Sequence, residues 1–170
     1  MRIFFRTVAI ATIAMMMSVS TANAQMQGEK AIGGSLVLGT GGSYSHFGIG
    51  AKFLYNVTDP IRLGAECDFF LKKDYMTWWD FSVYGHYLFT AGNVLLYPLV
   101  GLGGTSAKMS MGNFSASTSG FVFTLGGGVE FELSPNLSLN LELRYKSIDF
   151  SDIGVTGNRT NFAAGLAYKF

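Results

Sequence analysis

Residues Leu137 to Lys146 read LSLNLELRYK. Leu137, Leu139, Leu141, Leu143 and Tyr145 alternate with Ser138, Asn140, Glu142, Arg144 and Lys146. Successive side chains of a β-strand point to opposite faces, so an extended backbone sorts this segment into one apolar and one polar face. A slip of one residue would exchange the faces and turn Glu142, Arg144 and Lys146 toward whatever the leucines meet. Few other patterns restrict a chain so tightly, because secondary structure and register are set together.

The same period recurs along the chain. Ile61, Leu63, Ala65, Cys67, Phe69 and Leu71 oppose Arg62, Glu66 and Asp68. Phe47, Ile49, Ala51, Phe53, Tyr55 and Val57 oppose Gly48, Gly50, Lys52 and Asn56. Trp79, Phe81, Val83, Tyr87 and Phe89 oppose Asp80, Ser82, Tyr84 and His86. Phe121, Phe123, Leu125, Val129, Phe131 and Leu133 oppose Thr124, Glu130 and Glu132. Near the C-terminus, Phe162, Ala164, Leu166, Tyr168 and Phe170 oppose Asn161, Ala163, Gly165, Ala167 and Lys169. A short Gly-rich strand at Ala31–Gly39 and one at Val94–Thr105 bring the predicted total to eight. Val94–Thr105 is apolar on both faces, which leaves its register open, and Pro98 within it has no N–H to give a ladder.

The connections alternate in length. Thr58-Asp59-Pro60, Thr90–Asn93 and Ser134-Pro135-Asn136 are predicted tight turns; Thr40–His46, Lys72–Thr77, Ser106–Ser119 and Ser151–Arg159 are predicted longer polar loops. An even number of strands places both termini at the short-turn end.

Two all-β architectures fit such strands: a soluble sandwich or barrel with the apolar face inside, and a membrane barrel with the apolar face outside. The N-terminus favours export. Arg2 and Arg6 precede an apolar core from Val8 to Val19, and Ala22-Asn23-Ala24 is a small-x-small site, so residues 1–24 are predicted to be a signal peptide cleaved after Ala24. An uncleaved anchor is disfavoured by the short apolar core. Charged residues are only 14% of the chain, well below the roughly 25% of soluble domains, while aromatics are 15%. The face opposite the Leu and Phe stripe mixes charge with Gly, Ala and Ser, as a crowded interior requires. In lipid, an Arg or Lys at the midplane would cost roughly 2–4 kcal/mol, and the predicted registers expose none. Aromatics also fall near the strand ends: Tyr55, Tyr87, Phe89, Phe131, Tyr168 and Phe170 at one, Tyr44, Phe47, Trp78, Trp79, Phe121 and Tyr145 at the other. Interfaces favour such belts. The predicted fold is therefore an all-β, eight-stranded antiparallel up-and-down transmembrane β-barrel spanning residues 25–170, in the outer membrane of a Gram-negative bacterium.

The segments FELSPNLSLNLELRY and GLAYKF carry a more specific likeness. The chain resembles the small eight-stranded outer-membrane proteins, the OmpA-type transmembrane barrel and its OmpX-like relatives, over the whole mature length. The resemblance implies that Gly165, Tyr168 and Phe170 form the signal read by the outer-membrane assembly machinery. It also implies a lumen blocked by ion pairs.

The bore of an eight-stranded barrel is just wide enough for side chains to fill. The predicted lumen acids are Glu66, Asp68, Asp80, Glu130, Glu132 and Glu142, and the predicted bases are Lys52, Arg62, Arg144, Lys146 and Lys169. Buried charges must pair to offset desolvation, so these groups are expected to form a rigid salt-bridged plug; a narrow ion or solute path is the alternative. Lys72, Lys73, Lys108 and Arg159 are expected at the outer edge, where lipopolysaccharide phosphates could pair with them. The loops, Ser106–Ser119 above all, are candidates for contact with a host protein or another cell.

Other functions find little support. Removing Arg2 and Arg6 leaves ten basic residues against eleven acidic ones, a net charge of −1, which gives no footprint for nucleic acid. Cys67 is the only cysteine, and no Cys/His cluster suggests a metal. A lipid A-modifying enzyme would need a base beside a nucleophile or carboxylate at the outer rim. His46, with Ser45 beside it and Asp74 and Asp80 around the second loop, is the nearest approach, and His86 reads as a lumen residue. No catalytic residue, cofactor or metal is assigned.

Overall fold

The computed structural model describes residues 27–41, 44–73, 75–92, 94–111, 114–150 and 154–170, without the side chains at 44, 73, 111 and 114. The predicted signal peptide and Asp74 lie outside the described residues. Nine strand segments follow one another: β1 Lys30–Gly41, β2 Tyr44–Asn56, β3 Ile61–Lys73, β4 Met76–Tyr87, β5 Phe89–Ala91, β6 Val94–Met111, β7 Phe114–Ser134, β8 Leu137–Phe150 and β9 Val155–Lys169. β4 and β5 are two pieces of one barrel strand, since both pair antiparallel with β6. The eight resulting strands each pair with their chain neighbours, and β1 pairs with β9 to close the ring. Closure leaves no sheet edge in the bilayer, which lipid demands because it offers no water to an unpaired N–H or C=O.

The break between β4 and β5 has a local cause. Pairing with β6 stops at His86↔Leu99 and resumes at Phe89↔Leu96, so Tyr87 and Leu88 lie opposite Pro98 and Tyr97. Pro98 cannot donate. The Leu88 N–H turns instead to the Pro60 carbonyl at 2.8 Å.

The alternation divides the sheet as the sequence pattern predicts. Ile49, Phe69, Phe81, Leu125, Leu143, Phe162 and Leu166 stand outward and exposed. Lys52, Arg62, Glu66, Asp68, Asp80, Glu130, Glu142, Arg144, Lys146 and Lys169 turn inward and are buried. β6, whose register the sequence leaves open, puts Leu95, Tyr97 and Leu99 into the bore and Leu96, Val100 and Leu102 outside.

The loop reading needs correcting. β6 and β7 stay paired from Val94↔Phe131 to Met111↔Phe114, so most of predicted loop Ser106–Ser119 is a hairpin. Thr40 and Gly41 of β1 likewise pair with Ser45 and Tyr44 of β2, and β9 begins at Val155. A strand needs only about 9–11 residues to span a bilayer, and β6 has 18. Beyond the lipid both faces are wet, so Ser, Thr and Gly no longer alternate with apolar residues although the backbone ladder continues.

Candidate functional site

The inward faces meet in a column of charge along the bore. At the end that carries the termini, Lys169 Nζ stands 3.6 Å from Glu130, 3.8 Å from Glu132 and 3.9 Å from Glu29. Arg62 donates to Glu130 at 2.7 Å through Nη1 and to the Asn56 side-chain carbonyl at 2.8 Å through Nε. The middle tier centres on Arg144, which donates to both Glu66 oxygens at 2.6 and 3.0 Å. Its Nε lies 3.2 Å from Glu142, and its Nη1 donates to the Tyr84 hydroxyl at 3.1 Å. Glu142 also accepts from Lys52 at 2.7 Å and from the Tyr97 hydroxyl at 2.9 Å. In the outer tier Lys146 donates to Asp68 at 3.3 Å and Asp80 at 2.8 Å, and Asp80 further accepts from Thr105 at 2.7 Å and from Arg159.

The pairs join strands far apart in the chain: Lys52 and Glu142 are 90 residues apart, Arg144 and Glu66 are 78. The Lys52–Glu142, Arg144–Glu66, Lys146–Asp80 and Arg62–Glu130 bridges reach across the bore, so the network ties facing walls together. Bidentate Arg–carboxylate geometry adds direction as well as strength.

Two predicted site residues are placed differently. Arg159 is not at the outer edge; it is buried, ion-paired with Asp80, and its Cζ lies 4.5 Å from the Phe70 ring centroid. β9 carries the inward phase of Asn161 and Ala163 back as far as Arg159, which the loop reading of Ser151–Arg159 hides. Glu132 is largely exposed at the rim, where a register shift between Glu132 and Ser134 ends the regular ladder. Lys72 and Lys108 are exposed, with the Lys72 ammonium 5.7 Å from the Tyr75 ring centroid; the Lys73 side chain lies outside the described residues. Tyr168 and Phe170 point outward, and Gly165 packs against β1, where a Cβ would stand 2.5 Å from the Gly34 carbonyl oxygen.

The sequence reading turns Tyr84, His86 and Ala163 inward but misses most of the apolar residues that join them inside the bore. Tyr84, Leu88, Leu95, Tyr97 and Leu99 form one buried cluster, with His86 stacked on Tyr97 at 4.9 Å. Toward the other end, Val37, Phe70, Ala163 and Val122, Ile148, Phe150 form two clusters, and Trp78 packs against both. Trp78 therefore belongs to the bore, not to the outer aromatic belt. The doublets Phe69-Phe70 and Trp78-Trp79, each breaking the alternation, are the signal that could have marked an inward ring. Among the described residues, no group of three or more His, Cys, Asp or Glu is placed to hold a metal.

Solved structures share this architecture. Neisserial surface protein A superposes with a TM-score of 0.71 at 15% identity, covering 85% of this chain and 98% of that one. Ail, the attachment invasion locus protein of Yersinia pestis, gives 0.61 at 22% identity, covering 85% and 100%. The N-terminal β-barrel domain of Pseudomonas aeruginosa OprF gives 0.59 at 16% identity, again covering 85% and 100%. At these identities the likeness establishes the fold alone. No curated protein sequence matches the chain. The family described as outer membrane protein beta-barrel domain matches residues 9–170, and the chain belongs to it: it is an outer-membrane β-barrel protein.

Proposed function

We propose that this barrel has a structural and surface-contact role in the Gram-negative envelope, with a closed lumen and no catalytic activity. The observation that carries the reading is the column of buried ion pairs running from Lys169 to Arg159. Among the described residues eleven buried charges, six cationic and five anionic, occupy a bore just wide enough for side chains to fill. Tying opposite walls together stiffens the ring, and the surrounding lipid meets an uninterrupted apolar belt.

The outer end supplies the contact surface. The β6–β7 hairpin offers Ser, Thr and Gly beyond the membrane, and the exposed Lys72 and Lys108 would meet lipopolysaccharide phosphates. Ail has been crystallised with the heparin analogue sucrose octasulfate, which supports polyanion contact as a use for such barrels. Gly165, Tyr168 and Phe170 would serve assembly, and export would proceed by cleavage after Ala24.

In planar bilayers the refolded protein should show no stable open state at physiological salt. A steady conductance that shifts when Glu66→Gln is introduced would overturn the closed-lumen reading in favour of a narrow channel. For the assembly role, Phe170→Ala should slow insertion by the assembly machinery several-fold while leaving the urea midpoint of the folded barrel within its error. Phe170 is exposed and contributes only its backbone pairing with Lys30 to the ladder, which alanine keeps. An equal loss in both measurements would count against it.

A further inference from the structure

Above the ion-pair column the bore changes character. The two apolar clusters joined by Trp78 make a plate across it, with Phe70, Ile148 and Phe150 as its bulk. Beyond the plate, at the end opposite the termini, lies a cavity of about 530 Å³. That volume falls in the range of small-molecule sites, roughly 300–1,000 Å³. Trp78, Ile148 and Met76 give it apolar walls, and Arg159 and His46 are polar groups on its lining. Among the described residues no carboxylate lines it, and the cation on its lining is the Arg159 guanidinium, ion-paired with Asp80 and held over the Phe70 and Trp78 rings at 4.5 and 5.6 Å. Trp78 brings a further donor, since its indole Nε1 is buried without an acceptor among the described residues. A buried donor without a partner is costly, and an incoming acceptor would relieve it.

We propose that this vestibule binds a small amphiphilic anion, an aromatic or short aliphatic carboxylate. Its apolar body lies against Trp78, Ile148 and Met76, and its carboxylate accepts from the donors at the vestibule floor, Arg159 and the Trp78 indole. A cation would meet Arg159 and, among the described lining residues, no carboxylate. The plate beneath bars passage along the bore, so the ligand is held at the outer end and released there. Apart from the Arg159–Asp80 pair, the site does not depend on the ion-pair column below the plate.

The two tryptophans separate the vestibule from the lipid face, because Trp78 lines the cavity and Trp79 is exposed outward. The test uses the full mature chain refolded in detergent, with 4-nitrobenzoate as a quenching probe. In the Trp79→Phe variant, where Trp78 is the sole indole, emission should be quenched saturably. In Trp78→Phe, which retains only Trp79, quenching should rise linearly without saturation. Neutral 4-nitrobenzyl alcohol should bind at least tenfold more weakly than the carboxylate. Gly157→Phe should abolish the saturable component, since a Cβ at Gly157 has nothing nearer than 3.9 Å and the added ring can fill the space. Linear quenching of Trp78 would overturn the proposal. So would saturable binding equal in both single-tryptophan variants, or unchanged in folded Gly157→Phe. Equal affinity for the neutral probe would overturn the anionic assignment.

Discussion

Arg144→Met should lower the unfolding free energy in urea by about 3–5 kcal/mol, the cost of leaving a buried charge without its partner. Arg144 is fully buried and holds Glu66 through two bonds, while reaching Glu142, Asp68 and the Tyr84 hydroxyl. Glu142 keeps Lys52 at 2.7 Å and Asp68 keeps Lys146 at 3.3 Å. Glu66 keeps no cation within bridging distance among the described residues. The penalty should therefore belong to Glu66, and the double variant Glu66→Gln/Arg144→Met should recover at least half of it. A loss in Arg144→Met below about 1 kcal/mol, the range of exposed pairs, would show that the bore is wet enough to solvate the orphaned carboxylate. No recovery in the double variant would show that Arg144 acts through packing.

The second large effect is steric. Tyr97 on β6 faces Gly128 on β7, and a Cβ at Gly128 would stand 2.6 Å from the Tyr97 Cζ and hydroxyl oxygen. The ring passes over the glycine of the neighbouring strand, and its hydroxyl reaches Glu142 on the strand beyond. Gly128→Val should cost about 1–3 kcal/mol for the overpacked wall, and more if the displaced Tyr97 loses its bond to Glu142. Refolding yield and urea midpoint should both fall. Tyr97→Leu combined with Gly128→Ala should restore a folded barrel, because every atom within 2.7 Å of the added Cβ belongs to the Tyr97 side chain. Gly128→Val at wild-type stability would mean that the ring has another place to go. Tyr84 and Gly101 pair in the same way between β4 and β6, but there the Val83 carbonyl oxygen also stands 2.6 Å from an added Cβ. A change at Tyr84 alone should not rescue Gly101→Val.

The outward half of this molecule is readable from sequence because lipid enforces it residue by residue. Away from the rims the phased strands keep their charges inward, and Leu137–Lys146 does so without an exception. The bore is less readable, since its interior accepts either polarity. Leu95, Tyr97 and Leu99 alternate with Leu96, Pro98 and Val100 on β6, and only closure of the ring decides which set faces in. Ion-pair partners are hidden for a related reason: Lys52 and Glu142 meet across the bore, through geometry that no local pattern encodes. Arg159 shows the limit at the outer end, where polar residues on the outward face remove the hydrophobic period that phased the other strands.

The ring closes where β1 meets β9, from Ala31↔Lys169 to Thr40↔Thr160. These are the segments most distant in the chain, so their union carries the largest loop-closure entropy and should come late in folding. The seam is also lightly built, with Gly33, Gly34, Ser35 and Gly39 facing Ala167, Leu166, Gly165 and Asn161. Until it forms, two strand edges stand open, and a bilayer cannot tolerate either. Insertion must then be concerted with closure, or else the open edges must be paired temporarily by another sheet. The same seam is the natural place for the folded barrel to breathe, and amide exchange should report it first among the strand pairs.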